Sequence, residues 1–452
     1  MKCSPRVTPS LLLLLLCACA NHPARDVVPL RSEPTPAPPP ALATQPDIVV
    51  AAARAYRNPD ARLQAMLHAA LLNTGTQIVA AADGTAYVRT GDIPAEWLRD
   101  STVQVEATYL AYAGDAQVRA LIKAVIQRQA KSLIVDPYAN AFRQDYSVWE
   151  RKFELDSLCY PVLLAWKYYK ATADARVFTP EVQAAFVRVL DTMEIEQDHA
   201  GRSRYRFKSD TEEAGMNPVG ATGMIWSGFR PSDDPCAYNF LIPAEMMAVQ
   251  ALGALEEIAT VLRDEAMHRR AQSLRADVDA GIRRFGIVAG PDGRPIYAYE
   301  VDGRGHAVRM DDANLPNLLG APYFGYVSVH DPLYRNTRQF VLSARNPYYY
   351  TGTRASGLGS PHTPKGRVWP LGLLAQGFTT GDAAEQRQVL AMLLASDPGD
   401  HRLHESFDPS DPQRYKRADF GWPNAFFTEY LAKLAGAPDH PKPAPPTLRA
   451  PR

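Results

Sequence analysis

Apolar residues recur at helical spacing along nearly the whole chain, and this repetition most limits what it can become. Leu63, Met66, Leu67, Ala70 and Leu71 fall on one helix face. Val118, Leu121, Ile122, Val125 and Ile126 repeat the pattern after a Gly114-Asp115 start signal. Val182, Ala185, Phe186, Val189, Leu190 and Met193 do so again, with Thr179 suited to an N-cap and Pro180 to the first helical position. The same reading predicts helices near 101–113, 156–172, 241–262, 264–284, 333–344, 369–378, 382–396 and 423–435. Strand signals are few. Asp83-Gly84 and Asp292-Gly293 each separate short β-prone runs and read as hairpins. Paired helices over this length point to one all-α toroid, although periodicity alone also permits a helical solenoid or a two-domain bundle. No glycine-rich loop follows a strand, so a nucleotide-binding fold has no support.

The two ends have a different character. Lys2 and Arg6 precede an unbroken leucine run from Leu11 to Leu16, which is too short to span a bilayer and fits a signal peptide over residues 1–20. Leu16-Cys17-Ala18-Cys19 resembles a bacterial lipobox, in which Cys19 would carry lipid; ordinary cleavage after Ala20 is the alternative. Residues 21–47 are proline-rich and read as a semi-rigid tether, and 437–452 as a frayed tail, leaving 48–436 as the folded unit. The expected location is the periplasm or the cell envelope, as an outer-membrane lipoprotein, with membrane contact only through the lipid. Charge is balanced, 49 Lys+Arg against 49 Asp+Glu, which excludes the basic footprint of a nucleic-acid partner. Cys159 and Cys236, the two cysteines of the mature domain, are either buried thiols or one disulfide.

Chemistry concentrates in the loops. GDIPAEWLRDS (91–101) sets Trp97, Arg99 and Asp100 before a helix: a flat platform for a sugar face and two groups able to bind adjacent hydroxyls, or a helix cap beside a core tryptophan. Glu154 and Asp156 either face the ring interior or begin a helix. Asp233 and Asp234 stand in tandem in a loop with Trp226, Phe229, Arg230 and Tyr238. Desolvation and like charge there would raise a carboxyl pKa, as a general acid requires. Asp311, Asp312 and Asn314 suit hydroxyls or, weakly, a cation. His362 lies in a Gly- and Tyr-rich stretch. Glu405, about 170 residues after the aspartates, supplies a second carboxylate of the kind glycoside hydrolysis needs. No His-x-x-x-His or Glu-x-x-His pair suggests a catalytic metal, and no metal or other cofactor is expected.

GDIPAEWLRDS, YANAF, ELDSLCYP, MIWSGFRPSDD, YNFLIP, DDANLPNLL, NPYYYTG, GLGSPHTP and HESF occur in one order from about 90 to 425. Together they resemble glycoside hydrolase family 125. The resemblance implies an (α/α)6 toroid and an exo-acting, inverting, metal-independent α-1,6-mannosidase that removes terminal mannose from oligomannose or N-glycan-type oligosaccharides. It implies Asp234 or Asp233 as general acid and Glu405 as the base activating water. Trp97, Arg99, Asp100, Trp226, Arg230, Asn314 and His362 are the expected substrate-binding residues. Rival readings are another toroid exo-glycosidase acting on α-glucosides and a non-catalytic glycan-binding surface lipoprotein.

Overall fold

The computed structural model describes residues 42–443 except 210–212 and 215–216. The expected signal segment, Cys19, most of the tether and the tail beyond 443 lie outside the described residues. Among the described residues fourteen α-helices follow in order: α1 Asp47–Ala55, α2 Ala61–Gln77, α3 Leu98–Tyr109, α4 Ala116–Val135, α5 Leu155–Thr172, α6 Pro180–Glu196, α7 His199–Arg202, α8 Ile242–Leu262, α9 Glu265–Phe285, α10 Ala321–Phe324, α11 Pro332–Val341, α12 Pro370–Phe378, α13 Ala383–Ala395 and α14 Gly421–Leu434.

Two long helices, α4 and α6, start where the sequence signals a start. Asp115 accepts hydrogen bonds from the amides of Gln117 and Val118 at the head of α4. Thr179 accepts from Val182 at the head of α6, with Pro180 next in line. These caps satisfy amides that have no intrahelical partner. The periodic apolar faces of α2, α4 and α6 are buried as their spacing requires.

The helices alternate between two rings. Contacts run from α14 to α3, α3 to α5, α5 to α8 and α8 to α10, and α12 packs on α14. Tyr323 of α10 closes the circuit, its ring 5.0 Å from Phe378 of α12 and 5.2 Å from Phe426 of α14. These six form the inner ring. α2, α4, α6, α9, α11 and α13 lie outside it, α2 ahead of the first inner helix and each of the others between two inner helices in the chain. The toroid, not the solenoid or the bundle, is the arrangement observed. The inner helices pack closely. At Gly421, the first residue of α14, a methyl group would sit 2.4 Å from the Gln104 amide of α3.

Strands are confined to seven small antiparallel sheets among the described residues. Both expected hairpins are present, Ile78–Ala80 with Ala86–Val88 and Ile287–Ala289 with Pro295–Tyr297. Contacts extend slightly beyond the expected 48–436. Leu42 packs on the core, and at the other end His440 lies 3.3 Å from Glu429 of α14. Cys159 and Cys236 are buried free thiols. No helix among the described residues is long and apolar enough to cross a membrane.

Replacing Asp115 by Ala should cost about 1 kcal/mol. The urea midpoint should fall while the slope of the transition stays unchanged.

Candidate active site

The site is organised around one guanidinium. Arg99 sits in the first turn of α3 and is buried. Its Nη1 donates to Glu154 Oε2 at 2.7 Å and to Asp156 Oδ2 at 2.9 Å. Its Nη2 lies 3.5 Å from Asp233 Oδ1, and its Nε 3.6 Å from Asp100 Oδ2. Glu154 is the N-cap residue of α5 and Asp156 lies in that helix's first turn. Facing inward and beginning a helix are therefore one arrangement. Four carboxyls around one cation in a buried volume cannot all ionise. Burial pushes Glu154 well above the ordinary carboxylate range; Arg99 opposes this, and the neighbouring Asp233 and Asp156 reinforce it. Burial also raises Asp100 and Asp156.

Asp233 is presented by a tight turn that its sequence encodes. In Arg230-Pro231-Ser232-Asp233 the amide of Asp233 donates to the Arg230 carbonyl at 2.9 Å, with Pro231 at the position where its fixed φ suits a turn. Asp233 then takes the left-handed conformation, φ 66°, and the Arg230 amide donates to the Asp234 carbonyl at 2.8 Å. This is a tight turn closed by a left-handed residue, a position usually held by glycine. A side chain there costs about 1–2 kcal/mol, and such strain gathers at functional positions. The loop is held in place by the Phe153 carbonyl, which accepts from Gly228 and Phe229 at 3.0 Å each. Asp233 Oδ1 accepts from Asn140 Nδ2 at 3.2 Å. Burial pushes the Asp233 carboxyl up, but a hydrogen bond with Glu154 and the charges of Arg99, His362 and Lys152 outweigh it and hold it below its ordinary value.

Glu405 arrives from the far end of the chain, just before strand Ser406–Asp408. Its amide donates to the Lys416 carbonyl at 3.2 Å, and Arg417 Nη1 lies 3.7 Å from its carboxylate. Burial raises its pKa against the pull of Arg417 and His362. Asp233 and Glu405 line the same cavity of about 230 Å³, together with Trp97, Arg99, Asp100, Asn314 and His362. Trp369, Phe420 and Trp422 add apolar wall. The indole N–H groups of Trp97 and Trp422 have no acceptor among the described residues. A bond from Arg417 Nη2 to the Thr90 carbonyl, 2.7 Å, fastens the loop before α3 to the loop before α14. Gly91 makes that junction possible: at φ 95° its Cα lies so near Asp419 that a methyl would be 2.2 Å from the Asp419 carbonyl oxygen.

Comparison with known proteins resolves what this cavity belongs to. The family model described as metal-independent α-mannosidase (GH125) matches residues 60–432. The chain belongs to glycoside hydrolase family 125. A Streptococcus pneumoniae structure from a family described as metal-independent α-mannosidases, in a non-productive substrate complex with α-1,6-mannobiose, is 39% identical with a TM-score of 0.81. That match covers 86% of this chain and 96% of the other. The meiotically up-regulated gene 157 protein of Schizosaccharomyces pombe is 36% identical over 395 residues, 78% of this chain and 77% of that protein. A bacterial glucoamylase complexed with acarbose, at 13% identity and TM-score 0.59 over 84% of this chain and 56% of its own, shares the (α/α)6 fold.

Within this GH125 toroid the expected site residues divide. Trp97, Arg99, Asp100, Asp233, Asn314, His362 and Glu405 converge on the cavity. Trp226 does not. It is fully buried, stacked 3.7 Å from His199 and 6.3 Å from Phe153, and is core rather than a sugar platform. Arg230 lies outside the cavity wall, its Nε 2.5 Å from Glu300 Oε1. Asp234 also lies off the wall, with Oδ2 accepting from Ser232 at 2.7 Å and His362 Nδ1 3.8 Å from Oδ1. Asp311 is structural, accepting from the amides of Leu318 and Leu319, and burial lifts it to about 8. Asp312 holds the Asn314 amide at 2.9 Å. Among the described residues no group of three or more His, Cys, Asp or Glu is arranged to hold a metal. Sequence reasoning missed Trp369 and Trp422. Each is followed by a proline at the start of an inner helix, a Trp-Pro signal that was available.

His362 bridges the two halves of the GH125 site. Burial pulls its pKa down, but the Asp234 hydrogen bond and the charges of Asp233, Asp234 and Glu405 prevail and push it up to about 9. A raised pKa means that His362 stabilises the fold fully below its ordinary 6.5 and loses this as pH rises through about 9. The Tm deficit of His362→Gln should therefore be largest near pH 6 and vanish toward pH 10, as read by thermal scans across that range.

Proposed function

We propose that this protein is an exo-acting, inverting α-1,6-mannosidase that removes non-reducing terminal mannose from N-glycan-type oligosaccharides. One observation carries the reading: Asp233, from the middle of the folded chain, and Glu405, from near its C-terminal end, line one sugar-sized cavity. A cavity of about 230 Å³ is smaller than most ligand pockets, which run to roughly 300–1,000 Å³. It suits capture of a single terminal ring, hence exo action. The Streptococcus pneumoniae relative, bound to α-1,6-mannobiose and described in terms of N-linked glycan processing, supports the linkage and the substrate class.

In this reading Trp97, Trp369 and Trp422 hold the faces of the mannose ring while Arg99, Asp100 and Asn314 bind its hydroxyls. Asp233 protonates the glycosidic oxygen as the bond to C1 breaks. Glu405 takes a proton from the water that attacks C1 on the opposite face, which inverts the anomeric centre. Its raised pKa favours proton abstraction. His362, as an imidazolium between the carboxylates, limits their mutual repulsion.

Incubation with α-1,6-mannobiose, followed by NMR, should show β-mannose as the first product. Release of α-mannose would exclude inversion, and hydrolysis of α-glucosides in preference to mannosides would overturn the substrate. Glu405→Gln should lower kcat by at least about 10²–10⁴ with sugar binding retained by calorimetry. Treatment with EDTA should leave turnover unchanged.

The N-terminal sequence supports an exported protein anchored through lipid on Cys19. Cys19→Ala should move it from the membrane to the soluble fraction and abolish incorporation of labelled palmitate.

A further inference from the structure

Glu154 has no place in the two-carboxylate scheme, yet it is built into the site with more care than a structural residue needs. Its side chain is fully buried and does not line the cavity. Oε2 accepts from Arg99 Nη1 at 2.7 Å and from Ser157 Oγ at 3.0 Å. Oε1 is buried with no donor group aimed at it. Glu154 and Asp233 are joined through the Arg99 fork, Glu154 Oε2 lying 2.7 Å from Nη1 and Asp233 Oδ1 3.5 Å from Nη2. Two carboxyls held side by side on one guanidinium repel each other unless one of them keeps a proton. An orphaned buried oxygen beside an acid that must be recharged each cycle is the natural seat of that proton.

We propose that Glu154 is a positioning residue for the acid step, storing on Oε1 the proton that Asp233 delivers. This rests on the reading of Asp233 as general acid. In the resting site Glu154 is protonated and Asp233 ionised. When sugar fills the cavity and displaces water, the Glu154 O–H breaks and an Asp233 O–H forms, leaving Glu154 as a carboxylate held by Arg99 and Ser157. Asp233 then gives this proton to the glycosidic oxygen, while Glu405 receives one from the attacking water. Afterwards Glu405 loses its proton to solvent and the Glu154–Asp233 pair regains one, so each turnover consumes one water and no net proton. The charged groups facing the pair are Arg99, Asp100 and Asp156 on the Glu154 side, and Glu150, Lys152 and His362 on the Asp233 side. The positive charges of Arg99, His362 and Lys152 favour an ionised Asp233 in the resting site, so the proton it delivers has to be held by a neighbour. The directions of shift agree, Glu154 upward and Asp233 downward.

The test is Glu154→Gln, which keeps size and a donor toward Asp233 but stores no proton. On α-1,6-mannobiose the variant should lose roughly 10–10³-fold in kcat/KM, and the alkaline limb of its pH profile should move at least one unit toward acid. On 2,4-dinitrophenyl α-mannoside, whose leaving group needs no proton, it should stay within about threefold of wild type. Equal losses on both substrates, or an unmoved alkaline limb, would overturn the proposal. Glu154→Asp, which keeps a proton but retracts the carboxyl, should lower kcat while holding the alkaline limb in place; a limb that moves as far as in Glu154→Gln would count against the relay. Asp233→Asn, measured alongside, should show the same split between the two substrates. Normal turnover of mannobiose by Asp233→Asn would instead remove Asp233 from the acid role, whatever Glu154 does.

Discussion

The Arg99 guanidinium is the interaction on which the site depends. It is the one positive charge that touches Asp100, Glu154, Asp156 and Asp233, residues from three separate stretches of chain. A single planar fork satisfies them in fixed directions, as a lysine ammonium does not. Buried charge arrangements of this kind are poor sources of stability, because desolvation offsets most of the attraction. Their value here is chemical. Burial and neighbouring carboxyls raise Glu154 well above the ordinary carboxylate range, and Arg99 fixes the carboxyls relative to one another.

The toroid supplies what no local motif can. Inner helices α3, α5, α12 and α14 begin near the cavity, so the loops and first turns that precede them meet there. That placement brings Arg99, Glu154, Trp369 and Trp422 together from four positions around the ring. Short sheets then lock the loops. Glu96 and Trp97 pair with Phe142 and Ala141, carrying Asn140 to Asp233. An isolated bridge joins Val368 to Phe407, holding the neighbourhood of Trp369 against that of Glu405. The cavity is the common end of several rigid elements, which is why a small volume can have many charged walls.

Much of this was legible beforehand. Helices α2, α4 and α6 follow directly from their apolar spacing, and the starts of α4 and α6 from Asp115 and Thr179. The left-handed turn at Asp233 is written in Pro231-Ser232-Asp233. The resemblance identified the family because its strings occur in one order over most of the domain. The misplacements have a shared cause. Trp226, Arg230 and Asp234 lie within a few residues of Asp233, and proximity in sequence was read as proximity in the site. A tight turn reverses direction within three residues, so neighbours point to different surroundings: Asp233 to the cavity, Arg230 to Glu300, Trp226 to the core.

By itself the amino-acid sequence determined the helical class, the helix boundaries to within a few residues, the family and the residue types available for chemistry. These depend on local periodicity, capping and order along the chain. Tertiary structure alone decided that Asp233 rather than Asp234 lines the cavity, that Trp369 and Trp422 form its walls and that Glu154 shares the Arg99 guanidinium with Asp233. Each of those depends on which side chains a closed ring brings within a few ångströms of one another, and on how much water it leaves them, quantities that no stretch of sequence contains.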